Sequence, residues 1–190
     1  MDAAILTAVG FDVVVVEPSA GMGAVARSRG GHVVQAGAAD LASVAGLFDG
    51  ALSNFGALNC VADLTDFATG LHGRLRPGAP ALLVVMGPFA VAESCLLAAR
   101  GRFGTLVTRR RASLPLGVGQ VGVTWWTVPA LEAGMKGFAL EHVEALGGVH
   151  PPPDLCPGGP RLRTWDARLA RLPLLRHLGD HTLCVFRRVP

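Results

Sequence analysis

The first residue placed for chemistry is Glu17. It closes FDVVVV (Phe11 to Val16), a continuous apolar run expected of a strand buried on both faces, and a proline follows it at once. Open α/β sheets take ligands at the carboxyl ends of their strands. A carboxylate there can accept from both hydroxyls of a ribose, although a strand-end acid can equally just face water. The ribose reading requires a glycine-rich loop about 20 residues upstream, closing one strand and opening a helix. Counting back from Glu17 runs off the front of the chain: Met1 to Val9 can be most of that helix, with no room for the strand or the loop.

Other motifs read more plainly. GVGQVG (Gly117 to Gly122) matches a phosphate-loop string. SLPL precedes it rather than a strand and VTWWTVP follows, so it is expected to be a flexible linker, because amide N–H groups reach a phosphate only at a strand-to-helix turn. HLGDH (His177 to His181) brackets Asp180 with two histidines and is read as a turn into the last strand. His142 and His150 do not add up to the three or four convergent ligands of a zinc site, and no metal is expected. Of Trp125 and Trp126, strand alternation sends one inward. There is no GxSxG, and no cysteine has a convincing histidine partner.

The 190 residues suffice for one domain, 1–190, with a sizeable core; 51% are hydrophobic and 16% charged. Pro80, Gly87, Pro88 and Glu93 interrupt the most apolar stretch, Ala79 to Ala99, so no membrane span is expected. Net charge is +3. The one dense cluster, Arg109 to Arg111, lacks the aromatic interleaving of a nucleic-acid surface and reads as a solvated face. Cys60, Cys95, Cys156 and Cys184 form no CxxC pair; three lie in apolar surroundings, the setting of buried free thiols, and a cytoplasmic protein fits best.

Short apolar runs alternate with helical segments, which predicts an α/β layered fold with a mostly parallel sheet. Strands are expected at Phe11 to Val16, His32 to Gln35, Phe48 to Phe55 and Ala81 to Met86, with helices from Ser19 to Arg29, Ala62 to Leu75 and Val91 to Arg111. VGVTWW (Val121 to Trp126), Phe138 to Gly148 and His181 to Arg188 are read as further strands, and Arg161 to Arg171 as a basic helix. PPPDLCPGGP (Pro151 to Pro160) is irregular.

Three ordered blocks, EPSAGMGAVAR (Glu17 to Arg27), FDGALSNFGALNCV (Phe48 to Val61) and LRPGAPALLVVMG (Leu75 to Gly87), resemble the class I S-adenosylmethionine-dependent methyltransferases over most of the chain. The resemblance implies a Rossmann-like sheet, mostly parallel with antiparallel C-terminal strands. It implies S-adenosylmethionine as cofactor and a small molecule as acceptor, with neither nucleic acid nor membrane as partner. Carried over, Glu17 would hold the ribose hydroxyls, Pro18 and Met22 would pack near the adenine, and Ser19 would open the helix. Asn54, Phe55 and Gly56 would lie near the methionine portion, with Asn59 toward the substrate. AGAAD (Ala36 to Asp40) puts Ala38 where many members carry an acid for the adenine amino group, leaving Asp40 or a backbone group near Ala39 to take that bond.

The family's first strand and glycine-rich loop have no counterpart. That strand is central, so its loss leaves two interior edges unpaired, at about 1–3 kcal/mol for each stranded backbone group. Either the strand order changes or the natural protein is longer, and the second is expected. An exposed edge also invites self-association. Methyl transfer by the full-length form is the leading expectation, with a catalytically inactive, partner-binding fragment or pseudoenzyme as the alternative. A nicotinamide oxidoreductase would use Glu17 equally well. The SNFGALN block, the antiparallel-looking C-terminus and the lack of any tyrosine for a proton relay count against it.

Overall fold

A computed structural model describes residues 2–102, 113–116, 119–147, 160–170, 172, 176 and 179–190. The elements run α1 (Asp2–Ala8), β1 (Val14–Val16), α2 (Ala20–Ser28), β2 (His32–Val34), a 3₁₀ turn (Ala38–Ser43), β3 (Ala51–Ser53), a second 3₁₀ turn (Ala57–Cys60), α3 (Thr65–Arg74) and β4 (Pro80–Met86). They continue as α4 (Val91–Ala99), β5 (Ser113–Leu116), β6 (Gly119–Gly122), α5 (Val128–Gly134), β7 (Phe138–Leu146), α6 (Pro160–Leu169) and β8 (His181–Arg188). The Arg109–Arg111 cluster, the Pro-rich segment up to residue 159, Cys156, His150 and His177 lie outside the described residues.

Two β-helix-β crossovers build the parallel parts. β1 pairs with β2 through α2, and β3 pairs with β4 through α3. The C-terminal strands then add antiparallel, giving the order β3-β4-β8-β7. The result is the α/β fold with antiparallel C-terminal strands that the sequence predicts.

Alternation within this sheet sets the core. Ala81, Leu83 and Val85 of β4, Cys184 and Phe186 of β8, and Val143 of β7 are all buried. They pack on Phe67, Ala68 and Leu71 of α3 and on Leu131 and Met135, with Leu58, Leu64 and Leu75 closing the cluster. Between β8 and β7, Arg187 makes a two-pronged contact to Glu141, at 2.7 and 2.8 Å. That contact holds the Glu141 carboxyl below its ordinary range.

β1 and β3 do not pair with each other. Glu17 N–H reaches Val34 O at 3.1 Å, so Val15, two residues back, also faces β2. Val14 and Val16 therefore turn their backbone groups to the other edge, where no strand pairs among the described residues. β3 likewise pairs on one side only. Among the described residues β1 and β3 thus stand in separate sheets. A hydrogen bond from Asn54 Nδ2 to Asp2 Oδ2, 3.0 Å, ties the start of α1 to the end of β3.

Several sequence expectations need correction. The FDVVVV strand shortens to Val14–Val16 and is half-buried throughout, because its sheet has only two strands. Phe48 to Phe55 shortens to Ala51–Ser53, with Phe48 making a lone parallel bridge to Leu75. SLPL and GQVG form a β5–β6 antiparallel hairpin rather than a linker, while residues 123–127 leave the strand. Cys60 and Cys95 are exposed and only Cys184 is buried among the described cysteines. In the second 3₁₀ turn the inward positions go to Leu58 and Asn59, and in α4 the inward position goes to Leu97. Among the described residues no helix is long and apolar enough to cross a membrane.

Candidate functional site

The residues singled out in the sequence stand at the carboxyl ends of β1 and β2, which pair in parallel, and of β3, which pairs in parallel with β4. Glu17 follows β1, Ala38 and Ala39 follow β2 at the first 3₁₀ turn, and Asn54, Phe55 and Gly56 follow β3. This is the edge at which an open α/β sheet takes its ligands.

Glu17 is half-buried, and its Oε1 accepts from Ser19 N–H at 2.8 Å. Ser19 is the N-cap of α2: its backbone is extended, and its Oγ accepts from Met22 N–H at 3.3 Å. One carboxylate oxygen is thus held by the turn, and Oε2 makes no hydrogen bond among the described residues. Pro18 and Met22 are exposed beside it, Met22 at 60%. An exposed apolar side chain next to a fixed carboxylate suits a flat heterocycle joined to a sugar. Ala38 is half-buried and Ala39 exposed; Gly37 O accepts from Asp40 N–H at 3.0 Å to close the turn around them. A depression of about 300 Å³ between this turn and α3 reaches Ala39 and is lined also by Asp66, Thr69 and Arg74.

The β3 end is the most constrained point. Phe55 is the single non-glycine residue with positive φ (+54°) among the described residues, and its ring is 69% exposed. Left-handed backbone at a phenylalanine costs on the order of 1–3 kcal/mol, and such strain concentrates at ligand sites. Asn54 Oδ1 accepts from Phe55 N–H at 2.8 Å and holds that turn. Gly56 follows at φ +70°, where a Cβ would stand 2.9 Å from Met86 Cε and 3.1 Å from Asn59 Oδ1. Glycine is required there on both counts.

Asn59 does not face a substrate. It is fully buried and pins three segments: its Nδ2 donates to Met86 O and to Thr124 O, each at 2.7 Å, and its Oδ1 accepts from Met86 N–H at 2.8 Å. Trp126 Nε1 donates to Leu58 O at 3.0 Å beside it, so this tryptophan braces the same loop. Asn59 therefore sets the position of Met86 and of the loop that carries Phe55 and Gly56.

HLGDH reads mainly as a turn, while His181, like His142 and His150, is also a possible general base if the acceptor is a hydroxyl. His181 Nδ1 lies 2.8 Å from Asp180 Oδ2. Its place at the end of β4 could not be read in the sequence.

The groups at this edge are those that the adenosine half of the S-adenosylmethionine implied by the sequence resemblance would need. Glu17 offers a free carboxylate oxygen for the ribose, Met22 an apolar surface, and Ala38 and Ala39 small residues with backbone polar groups. For the methionine end, the described residues supply the Asn54–Gly56 turn and no glycine-rich strand-to-helix loop.

No protein-family model matches the chain, and no curated protein does. Solved structures do. An S-adenosylmethionine-dependent methyltransferase from Clostridium acetobutylicum superposes with a TM-score of 0.62 at 8% identity, covering 97% of this chain and 78% of that one. The CcbJ methyltransferase of Streptomyces caelestis gives 0.60 at 14% identity, covering 98% and 84%. A structure from work on the conversion of a disulfide bond into a thioacetal group during echinomycin biosynthesis gives 0.59 at 20% identity, covering 99% and 71%. Together with the βαβ units, the antiparallel closing strands and the strand-end acid, these likenesses establish that the chain has the Rossmann-like fold of the class I S-adenosylmethionine-dependent methyltransferases.

Proposed function

We propose that residues 1–190 form a single methyltransferase domain that binds S-adenosylmethionine and acts on a small-molecule acceptor. The observation that carries the reading is the shared placement of Glu17, Ala38 and the strained, exposed Phe55 at the carboxyl ends of β1, β2 and β3. When bound, the cofactor supplies a methyl group on a positively charged sulfur, already electrophilic. The protein's share is then orientation and the exclusion of water. Glu17 would fix the ribose, Ser19 the turn that aims Glu17, and Pro18 and Met22 the adenine surface. Ala38 and Ala39 would meet the adenine edge, while Asn54, Phe55 and Gly56 would line the methionine portion.

A small-molecule acceptor is supported by the likeness to a structure from echinomycin biosynthesis. A reducing compartment, the cytoplasm, is supported by the free thiols of Cys60, Cys95 and Cys184. The test is incubation with methyl-labelled S-adenosylmethionine and a panel of small phenols, amines, thiols and carboxylic acids. Label transferred to a panel member supports the reading, and label remaining wholly in the cofactor opposes it.

The edges of β1 and β3 that pair with no strand among the described residues favour a second reading, in which the domain is catalytically inactive and acts by binding a partner or a second copy of itself. That form would give no thermal shift with S-adenosylmethionine or S-adenosylhomocysteine, and its oligomeric state would rise with concentration.

A further inference from the structure

We infer that the Asp180–His181 pair is the general base of this site and that the acceptor is an acidic hydroxyl, phenolic or enolic. The inference rests on the methyltransferase reading above. It starts from the hydrogen bond itself. An ionised carboxylate only accepts, so the 2.8 Å contact fixes the proton of a neutral imidazole on Nδ1 and leaves the lone pair on Nε2. His181 Nε2 makes no hydrogen bond among the described residues. The two side chains are 28% and 20% exposed, enough shelter to hold the ring and enough opening to admit a substrate.

Placement is the second argument. His181 is the register partner of Met86, the last residue of β4, so it stands at the carboxyl edge of the sheet, one strand over. Adjacent strands lie about 4.8 Å apart. Met86 in turn meets the Gly56 position, where a Cβ would touch Met86 Cε, and Asn59 clamps both. His181 is therefore separated from the Asn54–Gly56 loop by the width of a single residue, Met86, and a planar acceptor over Met86 would reach both. Directly opposed residues share a face of the sheet, so His181 and Met86 lie on the same side.

The other described histidines fail this placement. His32 opens β2 at the amino end. His72 has its Nε2 3.2 Å from Val189 O, beyond the far end of β8. His142 lies mid-sheet opposite Val185, with its Nε2 3.1 Å from Glu144 Oε2. Among the described residues, Asp180 contacts His181, Glu144 on β7 lies two residues along from Leu146, its register partner, and Asp166 Oδ2 accepts from Gly147 N–H at the end of that strand.

An imidazole base suits a hydroxyl acceptor, and a phenol or enol most of all, since among hydroxyls their acidity lies nearest to that of an imidazolium, whereas a neutral amine attacks without first losing a proton. The acceptor O–H proton passes to Nε2, giving an imidazolium held by Asp180. The oxygen's electron pair forms the bond to the methyl carbon as the carbon–sulfur bond breaks, its pair remaining on sulfur. The imidazolium then releases its proton to water.

The test uses 4-nitrophenol, whose ionised form is coloured, buffered below the pH at which the free phenol ionises. Titrated with the wild-type protein, it should show the phenolate band as it binds. His181→Asn should abolish most of that band while leaving the melting temperature unchanged, and Asp180→Asn should reduce it. With any phenol that is methylated, His181→Asn should lower kcat about 100-fold or more and leave S-adenosylhomocysteine affinity intact. No phenolate band with the wild type, or an equal band with His181→Asn, overturns the inference. Calorimetry with S-adenosylhomocysteine alone separates the two readings, since the cofactor assignment can fail there while the phenolate band persists.

Discussion

Replacing Asn59 with alanine perturbs the hub of the β3 and β4 ends. Three side-chain hydrogen bonds vanish, two donated to Met86 O and Thr124 O and one accepted from Met86 N–H. The two carbonyls lose about 1 kcal/mol each, and the Met86 N–H, left without its acceptor, costs about 1–3 kcal/mol, so the sum is roughly 3–5 kcal/mol. Against a total stability of about 5–15 kcal/mol this is a large fraction. Urea unfolding followed by far-ultraviolet circular dichroism should show a lower midpoint with an unchanged slope, since the same surface is exposed in both proteins. Asn59→Asp should be no better, because it keeps the acceptor but loses both donors and adds a buried charge. A loss below about 1 kcal/mol for Asn59→Ala would refute the reasoning that Asn59 is a structural clamp.

Other expectations follow from the same packing. Burial, and secondarily the charge of Glu132, push the Cys184 thiol up to about 12. In native protein Cys60 and Cys95 should therefore react with a thiol reagent while Cys184 reacts only on unfolding. Because the unfolded thiol ionises near its ordinary value while the folded one stays protonated, Cys184 should make stability fall as pH rises from about 9 toward 12, by roughly 4 kcal/mol in full. Cys184→Ala should flatten that alkaline limb in urea titrations. A Cβ on Gly179 would lie 2.7 Å from His181 O and 2.8 Å from Leu146 O, both backbone atoms. Gly179→Ala should thus cost about 1–3 kcal/mol by thermal unfolding. Gly134→Ala should carry a comparable cost, because the new Cβ would stand 2.9 Å from Leu64 Cδ1 and 3.0 Å from Leu64 Cβ of a buried leucine.

The parts of the fold legible in the sequence are those governed by short-range pattern. ALLVVM reads as a buried strand because it is a continuous apolar run, and Ser19 reads as a helix N-cap because its hydroxyl sits three residues before the N–H it accepts from. The strand-end position of Glu17 follows from the valines before it. The Asn59 clamp could not be read, since its partners Met86 and Thr124 lie 27 and 65 residues away. The β5–β6 pairing could not be read because Pro115 and the glycines argue locally against strands, yet the two segments pair antiparallel. Cys60 looked buried by its apolar neighbours, but in a 3₁₀ turn Leu58 and Asn59 take the inward positions. His181 read as part of a turn because nothing local shows that β8 begins against the end of β4.

The central claim is that the carboxyl ends of β1, β2 and β3 hold the adenosine of S-adenosylmethionine through Glu17. Calorimetric titration of the wild type and Glu17→Ala with S-adenosylhomocysteine tests it most directly. Loss of a charge-assisted hydrogen bond of about 1.5–3 kcal/mol predicts a Kd about tenfold or more weaker in the variant. Equal affinities in the two proteins, or no binding by the wild type, would contradict it.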